Sequence, residues 1–145
     1  SHPSKRYPVK SFAKLVHLLD ANYLILWGSS DEELLAEEIK KCAPNVKICP
    51  KLSIEKLISL ISKLDLVIGS DTGPTHIAWA LNIPSVTLFG PTPGYRNTFE
   101  TEWNQIIESD SNVNPNKIDK NDNSIRNIEV ENIVVKAREL LILDN

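Results

Sequence analysis

The sequence holds 145 residues, 41% hydrophobic and 24% charged, with 16 Lys and Arg against 19 Asp and Glu for a net charge of -3. That balance describes one globular domain able to bury a core without disulfides or metal. It excludes a nucleic-acid surface spread over the whole domain but leaves room for a local anion pocket. No apolar run approaches the ~20 residues of a membrane span, and the first ten residues contain no apolar signal core. The chain has no methionine and opens in a polar segment, so it reads as part of a longer protein. Cys42 and Cys49 match neither a zinc knuckle nor a redox pair. They are expected as reduced, partly buried thiols.

In chain order, Phe12, Leu15, Val16, Leu18 and Leu19 predict a helix over residues 10–19. Residues 23–27 are continuously apolar up to Gly28 and predict a strand buried on both faces. Ser30 and Glu33 have capping-box spacing ahead of Leu34, Leu35, Ile39 and Cys42, which predicts a helix over 30–42. Residues 46–49 form a shorter strand candidate. A stripe of Ile54, Leu57, Ile58, Ile61 and Leu64 predicts a helix over 53–64 with Ser53 as its cap. Residues 66–69 and 85–89 read as further buried strands, flanking a helix that starts near Pro74. A weak strand at 105–107, a polar loop at 109–127 and a helix over 130–143 complete the chain. Such alternation predicts an α/β fold, a Rossmann-like parallel sheet with helices on both faces.

Ligands of such sheets bind beyond the carboxyl ends of the strands. Three segments with unusual composition leave strand ends here: residues 28–32, 69–76 and 90–94. In the middle one, Thr72 and Gly73 are placed to offer free backbone amides at a helix start, with Pro74 near its first position and His76 in the first turn. Such an end favours a phosphate, and Asp71 could accept from sugar hydroxyls. Helix capping accounts for Asp71 and Thr72 equally well. Glu32 serves either a ribose or the helix dipole, and Lys5 with Arg6 makes a small basic spot. No metal cluster, Walker loop, GxGxxG fingerprint or nucleophile elbow is visible.

Asp71-Thr72-Gly73-Pro74-Thr75-His76, an Ala-rich helix, Pro84 and then Leu88-Phe89-Gly90-Pro91-Thr92 resemble the donor-site signature of the ADP-heptose lipopolysaccharide heptosyltransferases, glycosyltransferase family nine. Lys5-Arg6-Tyr7-Pro8 resembles that family's Lys-x-aromatic-Pro segment, and Trp27-Gly28 and Pro50-Lys51-Leu52-Ser53 fall at the expected places. Ser70-Asp71-Thr72 is more similar to the heptosyltransferase I branch than to II, although Pro74-Thr75 departs from its usual Leu-Ser. The resemblance covers essentially the whole chain but only the second half of a family member. It implies the C-terminal, nucleotide-sugar-binding half of a GT-B fold, lacking its first strand, with the N-terminal acceptor domain and its general base outside the chain.

By that resemblance Lys5, with Ser1, would contact the donor phosphates and Glu32 the ribose. The backbone at Leu52 would meet the adenine, Asp71 the sugar hydroxyls, and Thr72, Gly73 and His76 the diphosphate. No catalytic base, metal or cofactor is expected in the chain. The implied activity is inverting transfer of heptose from ADP-heptose to Kdo-lipid A, at the cytoplasmic face of the bacterial inner membrane, with peripheral membrane association and no nucleic-acid partner. A GT-B nucleotide-sugar epimerase or another family-nine glycosyltransferase is the alternative. The 145 residues alone are expected to be inactive.

Overall fold

The structure, a computed structural model, describes residues 6–90, 100–109 and 124–143. The elements run α1 (Val9–Leu18), β1 (Leu24–Ile25), α2 (Ser30–Cys42), β2 (Lys47–Ile48), α3 (Ile54–Ile61), β3 (Val67–Ser70), α4 (Gly73–Ala80), β4 (Ser85–Phe89), β5 (Asn104–Glu108) and α5 (Val130–Leu143), with a 3-10 turn at Ser124–Asn127 before α5. Each expected helix is present. α3 stops at Ile61, short of Leu64, and Ser53 caps it by accepting from the Lys56 amide at 3.3 Å. The cap of α2 is Ser29, which accepts from the Glu32 amide at 3.3 Å, and not the expected Ser30.

All described strand pairs are parallel. They form two ladders, β1–β2 and β3–β4–β5. In the larger ladder Val67 lies opposite Ser85, and Ser85 opposite Asn104. No described ladder joins β1 to β3. The strand expected over 23–27 accordingly shrinks to two paired residues, and Leu24 is exposed rather than buried. Extended backbone becomes a ladder only where a neighbour supplies hydrogen bonds. Side chains nevertheless bridge the two ladders. Leu26, after β1, packs in one cluster with Val67, Ile61 and Ala78. Tyr23, before β1, packs in another with Leu66 and Ile68.

Period-two alternation sends neighbouring side chains of β3 to opposite faces. Leu66 and Ile68 join Val86 and Leu88 of β4 under α1 and α5, where Leu15, Ile133 and Leu140 are buried. Val67 joins Ile61 of α3 and Ala78 of α4 on the other face. Helices therefore cover both faces of the larger ladder, and every residue of β4 is buried. The segment around α1 and the segment around α5 close on each other. The Tyr7 hydroxyl donates to the Ile128 carbonyl, Lys14 pairs with Glu131 at 2.6 Å, and Arg138 donates to the Leu18 carbonyl at 3.2 Å.

The polar stretch expected as a loop over 109–127 ends, within the described residues, in the 3-10 turn, whose Ile125 is 1% exposed. Ile125 sits against Gly90, at the end of β4. A Cβ added at Gly90 would lie 2.7 Å from the Ile125 Cβ and 3.1 Å from its backbone nitrogen. Gly90→Ala is expected to lower stability by about 1–3 kcal/mol through this clash. Chemical denaturation measures it, and an unchanged midpoint would show that the turn yields at no cost.

Tyr23 donates its hydroxyl to the Leu19 carbonyl at 2.6 Å. Burial, helped by the nearby Asp20 charge, pushes its phenol up from 10.0 to about 12. The folded chain thus holds this proton more tightly than the unfolded chain does. Its stabilising contribution is complete below the ordinary value of 10.0 and is lost as pH rises through about 12. Alkaline unfolding of the parent and Tyr23→Phe tests this: the parent is expected to lose stability more steeply across that window.

Candidate functional site

Because the strands within each ladder are parallel, the segments that follow them leave from one edge. β3 ends at Ser70, and α4 begins three residues later with Thr72 as an extended N-cap and Pro74 in its first turn. Thr75 organises this turn. It is 2% exposed, donates its hydroxyl to the Ser70 carbonyl at 2.8 Å, and accepts from the Thr72 amide at 3.3 Å. Thr72 and Thr75 together form a reciprocal capping box.

This corrects the expectation that Thr72 and Gly73 both offer free amides, since Thr75 occupies the Thr72 amide. Pro74 has no N–H. The His76 amide bonds the Thr72 carbonyl at 3.2 Å. The Gly73 amide is left, with no hydrogen bond among the described residues, and an added Cβ there would meet nothing within 4 Å. Backbone dipoles converge on that amide from an open side, which is the arrangement that takes an anion. Thr75 escaped the sequence reading, although Thr72-x-x-Thr75 has capping-box spacing and could have signalled it.

Asp71 lies just before the cap. Its side chain is 5% exposed, against 44% for His76, and its Oδ1 meets His76 Nε2 at 2.5 Å. Of the two readings open for this pair of residues, capping falls to Thr72, while Asp71 joins His76 through side chains.

At the end of β1, the Glu32 carboxylate accepts from the Gly28 amide at 2.8 Å and so turns back over the strand end. Trp27 donates its indole N–H to the Cys49 carbonyl at 2.6 Å, tying the end of β1 to the end of β2. Leu52 follows β2 and is half-buried. Both cysteines are free; burial pushes the Cys49 thiol up, whereas Cys42 is exposed rather than partly buried as expected. The structure thus groups Asp71, Thr72, Gly73 and His76 at one strand end, and sets Glu32 and Leu52 after the strands of the smaller ladder. Ser1, Lys5 and residues 91–94 lie outside the described residues. Among the described residues no group of three His, Cys, Asp or Glu could hold a metal ion, and no helix is long and apolar enough to cross a membrane.

Comparison with known proteins places this edge in context. The chain is 39% identical to lipopolysaccharide heptosyltransferase 1 of Campylobacter coli over 97% of its own length and 44% of that protein. It is 35% identical to lipooligosaccharide heptosyltransferase 2 of Haemophilus influenzae over 62% of the chain and 28% of that protein. It therefore spans less than half the length of these relatives. Its fold matches an E. coli heptosyltransferase, WaaC, solved with ADP, at a TM-score of 0.80 and 20% identity over 97% of this chain and 41% of that one. A family 9 glycosyl transferase from Veillonella parvula matches at 0.81 and 21% identity, over 97% of this chain and 43% of that one. The α/β fold with parallel sheets is thus that of part of a GT-B heptosyltransferase. The model of glycosyltransferase family 9 (heptosyltransferase) matches residues 1–125, and the chain belongs to that family.

Proposed function

We propose that the chain is the donor-binding half of an enzyme that transfers heptose from ADP-heptose to the Kdo-lipid A inner core of lipopolysaccharide. The observation that carries this reading is the open Gly73 amide beside the Asp71–His76 pair, at a strand end of a fold whose relative was solved with ADP. One solved relative holds ADP-2-deoxy-2-fluoro heptose, which supports a nucleotide-sugar donor.

In this reading Gly73, Thr72 and His76 line the diphosphate, together with Lys5 and Ser1. Asp71 stands toward the heptose hydroxyls, Glu32 toward the ribose and the Leu52 backbone toward the adenine. A hydroxyl of the acceptor sugar attacks the anomeric carbon from the face opposite the leaving ADP. The bond to the phosphate oxygen breaks, and the configuration inverts. Negative charge grows on the diphosphate as it leaves. In this reading the helix N-terminus, Lys5 and His76 stabilise it without a metal. The base that takes the hydroxyl proton, and the acceptor site, belong to the part of the protein beyond these 145 residues. The enzyme works at the cytoplasmic face of the inner membrane, which it meets peripherally, and it has no nucleic-acid partner.

Calorimetric titration of the intact protein with ADP tests the donor reading. ADP is expected to bind, and Glu32→Ala to weaken it by about tenfold, the range of a charge-assisted hydrogen bond. Incubation with ADP-heptose and Kdo-lipid A is expected to release ADP with the intact protein and not with the 145-residue chain alone. Absence of ADP binding would remove the donor reading, and turnover by the chain alone would place the base within it.

A further inference from the structure

Asp71 and His76 face each other across the first turn of α4, and the contact constrains the imidazole in a way the resemblance does not imply. Where Asp71 is ionised its carboxylate only accepts hydrogen bonds, and the 2.5 Å contact then takes its proton from His76 Nε2. That holds for the neutral ring and for the cation alike. Nδ1 meets no partner among the described residues, on a side chain that is 44% exposed, whereas the carboxylate behind it is 5% exposed. The nitrogen available to a ligand is therefore Nδ1, and which nitrogen that is depends on Asp71.

The elements packed most closely on α4 are β3, β4 and α3. β3 and β4 carry no charged residue, and the charges of α3 are Glu55 and Lys56. The ion pair described for His76 is with Asp71. Phosphate oxygens accept, so Nδ1 can bond one only when it also carries a proton.

We propose that Asp71 is a positioning residue that acts on the donor through His76, holding the Nε2–H on its carboxylate so that Nδ1 is the atom presented to a phosphate oxygen. This rests on the donor-site reading above. It is distinct from the contact of Asp71 with the heptose hydroxyls proposed above, because ADP carries no heptose and that contact cannot change its affinity.

A double-mutant cycle on ADP affinity in the intact protein, read by calorimetry, separates the two. Asp71→Ala is expected to weaken ADP by about tenfold with His76 present and by less than about twofold in a His76→Gln background, since groups that act through one another are not additive. Asp71→Asn, which keeps an acceptor for the Nε2–H, covers an Ala variant that fails to fold, and its loss is also expected to vanish in the His76→Gln background. Additive losses, or an unchanged affinity in His76→Gln, would overturn the proposal. Nitrogen-15 spectra of the imidazole without ligand give a reading independent of ADP: the proton of the neutral ring is expected on Nε2. A proton on Nδ1 would overturn the proposal even if ADP binds, whereas failure of the parent to bind ADP with Nε2 protonated would overturn the donor reading and, with it, the role of Asp71.

Discussion

The parallel register of β3 against β4 is the constraint on which the candidate site depends. Parallel strands cannot be joined by a tight hairpin, so the chain must cross back over a face of the sheet between them. Here α4 is that crossover, and it has to begin within three residues of Ser70. The short distance forces a sharp entry. The Thr75 hydroxyl and the Ser70 carbonyl hold that entry together, and Asp71 and His76 meet as a result. Packing of β3 on both faces, beside the fully buried β4, fixes which residues point where, so the geometry of the turn is inherited from the sheet rather than set by the turn alone.

The parts of the fold that depend on local pattern were legible in the sequence. β4 was readable at its observed limits because Ser85–Phe89 is a short stretch rich in β-branched and apolar residues that ends at Gly90. The stripe of α3 and its Ser53 cap were readable from the three- and four-residue spacing of its apolar side chains, although Ile54 and Ile58 of that stripe are exposed. What depended on a neighbour was not. The run at residues 23–27 is as apolar as a buried strand, yet among the described residues only Leu24 and Ile25 find ladder partners. Ile125 lies among polar residues, and its burial is visible only once Gly90 is seen beside it.

The site divides in the same way. Composition at the strand end picked out Asp71, Thr72, Gly73 and His76, and the structure brings these four together. It could not tell a cap from a ligand, because both uses favour the same residue types at a helix start. Side-chain geometry makes that distinction by giving the capping box to Thr72 and Thr75 and leaving Asp71 to His76. Glu32 keeps both of its uses, since its carboxylate already holds the Gly28 amide and any ribose would have to share it or replace it.

The closure of α1 on α5 bears on the timing of folding. Tyr7 and Ile128, Lys14 and Glu131, and Leu18 and Arg138 meet across 121, 117 and 120 residues. The largest apolar cluster draws on both helices. A ribosome delivers α1 well before α5, so α1 waits, while the residues between them are made, without the partner that helps cover Leu15 and Leu19. The larger ladder can begin to assemble in that interval, but one of its faces is sealed only when the final helix emerges and docks. Contacts this distant in sequence slow folding, and they leave apolar surface uncovered in the meantime.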